Sequence, residues 1–178
     1  MVCAMHPRLL AIVLVLVLGG GASAAAKPAK QLGTRGPDHI VGTPGADRLN
    51  GRAGDDEIEG GPGRDTLNGG AGNDSLYGGP DKDSVFGGLG NDLVCGDAGN
   101  DRLVGGPGAD TILGGAGNDT INAQGGPGDI VAGGAGNDVI RADDGAREAR
   151  ITCGPGRDRV IADRDDPVAR DCEAVKRG

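Results

Sequence analysis

The sequence is almost without aromatic residues: no Trp, one Tyr and one Phe (Tyr77 and Phe86) among 178 residues. Large aromatic side chains supply much of the apolar area in ordinary cores, so a conventional globular interior is excluded as the main source of stability. Histidine is nearly missing as well, with two copies, and only His39 lies beyond the amino-terminal stretch. That removes the usual base of a nucleophile–histidine enzyme and the usual nitrogen ligands of zinc. Paired carboxylates flanking a cleft, as a glycosidase needs, are not visible either. No apolar run reaches the roughly 20 residues that cross a bilayer. Excess positive charge is absent: 18 Lys and Arg stand against 26 Asp and Glu, a formal charge of −8. Nucleic-acid and anionic-membrane partners need a basic patch and are excluded on that ground.

What is present is glycine, 38 copies, with ten prolines, and an acid content that is mostly Asp. Glycine and proline at this level point to disorder unless they have a period. They do not recur every third residue, which excludes collagen. Written in nines from Gly33 to Asn122, the chain gives ten units without a gap. Position one is always Gly, and position four is Gly except at Asp81. Position six is Asp every time: Asp38, Asp47, Asp56, Asp65, Asp74, Asp83, Asp92, Asp101, Asp110 and Asp119. Position eight is always aliphatic, from Ile40 and Leu49 through Ile112 and Ile121. A fixed period of this kind marks a repeat architecture.

The phase then slips. Ala123 to Ala132 is ten residues long and carries Asp129 one place late. It recovers at Asp138 and Ile140, breaks across Ala142 to Thr152, and shows one last unit around Gly154, Asp158 and Val160. Each position has a physical reason. Glycine supplies the positive φ that swings carbonyls inward in a tight turn. Asp sends a carboxylate into the same concavity. The residues around position eight make a short strand in which only the middle side chain points inward. Two units make a coil of 18 residues, and coils stack as parallel strands on a narrow aliphatic core.

The pattern GGxGxDxUx, clearest in GGPGRDTLN (60–68), GGAGNDSLY (69–77) and GGAGNDTIN (114–122), resembles the RTX, or hemolysin-type, calcium-binding nonapeptide repeat. The resemblance covers roughly Gly33 to Ile161. It implies an all-β, right-handed parallel β-roll (a β-solenoid) with Ca²⁺ between stacked turns. It carries over the ten in-phase Asp residues as metal ligands, then Asp138, with Asp129 and Asp158 in the degenerate units. Backbone carbonyls of the glycine turns would complete each site. A donor set of carboxylate and carbonyl oxygen suits Ca²⁺, whereas Mg²⁺ prefers a strict octahedron with retained water. The competing explanation, that Asp merely favours tight turns, does not account for ten in one phase.

The ends read differently. Arg8, an apolar run from Leu9 to Leu18 and the small residues Ala22-Ser23-Ala24 have the form of a Sec signal peptide, 1–24, so a secreted, extracellular protein with no membrane insertion after cleavage is expected. This departs from the many RTX proteins that use a type I exporter. A mobile leader is expected over 25–32, repeats over 33–141, and a degenerate repeat with a carboxyl-terminal cap over 142–178. In the tail, Asp166 as N-cap, Pro167 at the first helical position and Val168, Cys172 and Val175 on one face suggest a short helix or turn. An oxidising exterior permits a Cys153–Cys172 disulfide pinning that cap; two unrelated thiols is the other reading. Cys95 would be an odd thiol.

Position nine should face solvent, yet five successive units place Tyr77, Phe86, Cys95, Val104 and Leu113 there. Alternate units share a face, so Tyr77, Cys95 and Leu113 would stack, with Phe86 and Val104 opposite. Such a row could dock a protein partner or a second copy, or be scattered surface residues. The reading is therefore a non-catalytic, calcium-binding structural or interaction module that folds with its metal. An adhesin-like or self-associating surface protein is the alternative.

Overall fold

The computed structural model describes residues 30–148 and 150–177. The expected signal peptide, and the leader up to residue 29, lie outside the described residues. The chain is a parallel β-solenoid of short strands joined by glycine turns. It begins with β1 (Lys30–Leu32), β2 (His39–Val41), β3 (Arg48–Ala53), β4 (Glu57–Glu59), β5 (Thr66–Ala71) and β6 (Ser75–Pro80). The middle is β7 (Ser84–Leu89), β8 (Leu93–Ala98), β9 (Arg102–Val104), β10 (Thr111–Ala116) and β11 (Thr120–Asn122). The end is β12 (Ile130–Ala135), β13 (Val139–Ala142), β14 (Arg150–Thr152), β15 (Arg159–Ala162) and β16 (Ala174–Arg177).

Strands alternate between two sheets. One has the order β1-β3-β5-β7-β9-β11-β13-β15-β16, the other β14-β12-β10-β8-β6-β4-β2, and every pairing within them is parallel. Register follows the repeat: Leu49 pairs with Leu67, Leu67 with Val85 and Val85 with Leu103. Eighteen residues therefore make one coil. Where the sequence slips, the turns absorb the extra residues and the strands keep their partners, Ile112 on Val131 and Ile140 on Val160.

The position-eight side chains fill the slot between the sheets. Ile58, Leu67, Leu76, Val85, Val94, Leu103, Ile112 and Ile121 have no exposed surface, and they form one continuous cluster that runs on to Ile151 and Val160. This core is one side chain deep, because, of the three residues at positions seven to nine, only the middle one points into the slot.

Three expectations change at the ends. Lys30–Leu32, placed in a mobile leader by sequence, is a strand paired with β3. The tail is not helical. Val168 bridges to Ile151, and β16 pairs along β15 with Val175 opposite Val160. Asp166-Pro167-Val168 and Glu173-Ala174-Val175 thus repeat the acid-x-aliphatic pattern of the regular turns. Pro167 is accommodated at a bridge whose carbonyl accepts from Ile151 N–H at 3.0 Å, a role that needs no proline donor. The Cys153–Cys172 disulfide is formed, with Cα atoms 5.2 Å apart. Cys95 is not the odd thiol expected for it, since it too is disulfide-bonded.

On the outer faces Tyr77, Cys95 and Leu113 do align in register, as do Phe86 and Val104. Cys95 and Leu113 are buried rather than open to solvent.

Truncating a mid-roll core side chain opens a cavity that a one-layer interior cannot refill from behind. Ile112→Ala should lower stability by about 2–5 kcal/mol, read by urea denaturation in excess Ca²⁺. Ile40→Ala, at the first coil, should cost visibly less. Equal effects would contradict a continuous core whose middle carries neighbours on both sides.

Candidate metal centre

The position-six acids form two rails, one along each edge of the solenoid. On the first, the backbone N–H of Asp38 donates to Oδ1 of Asp56 at 2.8 Å, Asp56 to Asp74, Asp74 to Asp92, and Asp92 to Asp110, each within 2.9 Å. On the second, Asp47 donates to Asp65, then Asp65 to Asp83, Asp83 to Asp101, and Asp101 to Asp119. All thirteen Asp residues named from the sequence lie on these rails, Asp129, Asp138 and Asp158 included.

Three further members were not picked out by sequence. Asp129 N–H donates to Oε2 of Glu148 at 2.8 Å, and Glu148 N–H to Oδ1 of Asp166 at 3.1 Å. Asp158 N–H donates to Oε2 of Glu173 at 2.8 Å. Glu148 stands two residues before its strand position, Arg150, where the regular Asp stands one before. The extra methylene of Glu lets its carboxylate reach the same place. A signal existed: Glu148 and Asp166 are 18 residues apart, one coil.

One oxygen of each carboxylate is thus occupied. The other is not. Among the described residues, Oδ2 of Asp56, Asp65, Asp74, Asp83, Asp92, Asp101, Asp110, Asp119, Asp129, Asp138 and Asp158, and Oε1 of Glu148, are buried without a hydrogen-bond partner. Leaving a buried polar atom unpaired costs about 1–3 kcal/mol, more when charged. A fold with twelve of them in two lines is built around something that approaches those atoms.

Glycine carbonyls converge on the same space. A Cβ placed on Gly60 would lie 2.7 Å from Asp65 Oδ2 and 2.5 Å from the carbonyl oxygen of Gly78, one coil on. At Gly78 the corresponding distances are 2.8 Å to Asp83 Oδ2 and 2.9 Å to Gly96 O. Position one must therefore be Gly: a side chain would fill the cradle between carboxylate and carbonyl. Neutral carbonyl and anionic carboxylate oxygens, with no donor among them, form a site for a hard cation.

Burial pushes these acids above the usual carboxylate range, with neighbouring carboxylates of the rail adding to the shift in most cases and the accepted backbone N–H opposing it. Asp74, Asp92, Asp101, Asp119 and Asp138 rise to about 6, and Asp83, Asp129 and Glu148 to about 7. Asp56, Asp65 and Asp110 are raised for the same leading reason.

A second ladder runs beside each rail at position five, to which the sequence reading gave no role. Oδ1 of Asp55 accepts from Asn73 N–H, Asn73 from Asn91, and Asn91 from Ala109, each at 2.8 Å. Asn100, Asn118 and Asn137 do likewise on the other edge. These side chains reach forward along the axis where the position-six acids reach back, so adjacent turns are tied in both directions.

A family profile described as the RTX calcium-binding nonapeptide repeat matches the chain four times, over residues 32–67, 59–94, 96–128 and 125–146. The chain belongs to the RTX calcium-binding nonapeptide-repeat family. The repeats of this family bind calcium, are typically structural rather than catalytic, and are typically found in extracellular or secreted proteins. No curated protein matches the chain. The donor set of the two rails fits the ion the RTX repeat binds: oxygen only, anionic, buried and arranged along a line.

The sign of the pH effect follows. An acid whose folded value is raised binds protons more tightly folded than unfolded, so metal-free stability falls as pH rises from about 4 through 6–7 and is recovered on acidification. In chelator, the β-sheet circular dichroism signal should grow as pH is lowered from 8 to 5. A signal indifferent to pH across that window would contradict unneutralised rails.

Proposed function

We propose that the protein is a secreted, non-catalytic module whose folding is driven by Ca²⁺ bound along both carboxylate rails. The observation that supports this best is the line of buried carboxylate oxygens without donors, each beside glycine carbonyls. The ligands would be Asp56, Asp74, Asp92, Asp110, Asp129 and Glu148 on one rail, and Asp65, Asp83, Asp101, Asp119, Asp138 and Asp158 on the other. When bound, the ion neutralises paired charges that otherwise repel across one strand spacing. At an effective dielectric near 20 and a separation of about 5 Å, each like pair costs about 3 kcal/mol.

The chain's own residues do the rest. Glycines at position one leave room for the ion, positive-φ residues at positions two and four turn carbonyls along the axis, and the backbone N–H groups fix each carboxylate by its other oxygen. The aliphatic row is too thin to hold the coils closed against that repulsion and against the backbone entropy of a glycine-rich chain. An affinity near 10⁻⁴–10⁻³ M, as for other extracellular modules, would leave the chain unfolded where Ca²⁺ is scarce and fold it outside the cell. The apolar run from Leu9 to Leu18 and the Cys153–Cys172 disulfide support an exported, oxidising destination.

Circular dichroism of the full chain at pH 7.5 tests the reading. EGTA should give a largely unordered spectrum, and millimolar Ca²⁺ should restore the β signal, while equimolar Mg²⁺ should not. A spectrum unchanged between chelator and Ca²⁺ would sink it.

A further inference from the structure

The two first acids of the rails are not like the twelve whose second oxygen is unpaired. Asp38 Oδ2 accepts from Thr34 N–H at 2.5 Å and from Thr34 Oγ1 at 3.0 Å. Asp47 Oδ2 accepts from Thr43 N–H at 2.5 Å and from Thr43 Oγ1 at 3.0 Å, and Oδ1 takes the same hydroxyl at 3.0 Å. We propose that these two amino-terminal turns, 33–38 and 42–47, close on their own threonines without metal, and form the calcium-independent cap on which the ion-filled turns stack. The proposal rests on the calcium reading above and adds which turns are exempt from it.

The backbone explains why the exemption is built in. From the third unit to the tenth, position two has positive φ whatever its side chain: Gly61, Gly70, Gly79, Gly88, Gly106 and Gly115, but also Arg52 at 81° and Asp97 at 68°. Side chains seldom adopt this conformation, so Arg52 and Asp97 show that the turn demands it. Thr34 and Thr43 do not have it, and neither does Gly36 at position four of the first turn. Threonine, branched at Cβ, is among the residues least suited to positive φ.

The change of φ at position two alters how that residue's N–H and carbonyl are presented. In the metal-type turns the position-two carbonyl points along the axis at the next coil. A Cβ on Gly79 would lie 2.5 Å from Gly61 O, and at Gly70, Gly88, Gly106 and Gly115 the carbonyl of the preceding coil blocks it outright. On Gly61, facing Thr43, the same Cβ would clear the carbonyl oxygen at 3.5 Å. The threonine turn has turned its carbonyl away and brought its N–H to Oδ2. The altered backbone thus supplies a donor to the acid and draws the position-two carbonyl back from the next coil. The donor and the ion are alternatives for the same oxygen atom.

The opposite end of the first rail is closed in the same manner. Asp166 Oδ2 accepts from the N–H of Asp163 at 2.7 Å, while Oδ1 takes that of Glu148. A solenoid needs terminal units that differ from its interior ones. Here the difference is chemical: backbone donors at three of the four rail ends, unpaired anions between.

Counting bound ions on the full chain by equilibrium dialysis at saturating Ca²⁺ tests the assignment, with circular dichroism confirming that each variant folds. Asp47→Asn should bind as many ions as the unmodified chain, Asp110→Asn at least one fewer, and Thr43→Gly one more. Should Asp110→Asn fail to fold, the other two variants decide. Loss of an ion in Asp47→Asn, or no gain in Thr43→Gly, overturns the cap while leaving the calcium rails standing. An unmodified chain that takes up no Ca²⁺ overturns the parent reading instead, and the cap with it.

Discussion

A buried carboxylate oxygen with no donor is the constraint from which the rest of this structure follows. It recurs twice per interior coil, and among the described residues none donates a hydrogen bond to it. Lys and Arg are present in number, yet among the described residues none reaches the second oxygen of the twelve acids from Asp56 to Asp158. Ion pairs among the described residues link His39 to Glu57 and Glu59, and Arg141 to Asp143, none of them a rail acid. In the proposed reading an external cation stabilises the arrangement near neutral pH, where burial has already lifted several of these acids to about 6 or 7. On that reading proton and Ca²⁺ would act on the same atoms in the same sense, one per oxygen or one per cradle.

The hydrophobic row and the hydrogen-bond ladders have complementary roles. The row sets register, because a slip of one residue would bring a polar side chain into a slot with no exposed surface. The ladders set spacing, since each N–H must find the acid one coil on. Neither neutralises charge. The proposed metal dependence is thus compatible with coils specified by sequence, and a linear array of near-identical units would make it roughly additive along the axis. The threonine turns interrupt this logic only where the array begins, where a coil has a neighbour on one side alone.

Much of this was legible in the sequence. Ten Asp and ten aliphatic residues in a single nine-residue phase dictate parallel coils of 18 residues, and the observed partners, Leu49 on Leu67 on Val85, are those the phase requires. The stacking of Tyr77, Cys95 and Leu113 followed from the same arithmetic. The degenerate end was harder. Glu148 differs in residue type and stands one place early, so a search for Asp in phase passes over it, although its carboxylate meets Asp129 N–H like any other. The tail invited a helical reading because Asp166-Pro167 is a good helix start by local preference. The free edge of β15 offered a parallel partner instead, and tertiary pairing prevailed over local propensity.

The threonines were invisible for another reason. Position two tolerates Gly, Arg and Asp, so Thr34 and Thr43 look like further variation until the direction of the peptide is seen. A residue type reports φ only statistically, and here the consequence of φ lies in whether a donor or an acceptor faces a carboxylate two to four residues away.

The most direct test of the account is anomalous diffraction from crystals grown in millimolar CaCl₂. Ions should appear in two rows, one beside each of the oxygens left without donors between Asp56 and Asp158, with none beside Asp38 or Asp47. Rails without ions at that concentration, with the same oxygens hydrogen-bonded to water or to a basic side chain, would contradict it.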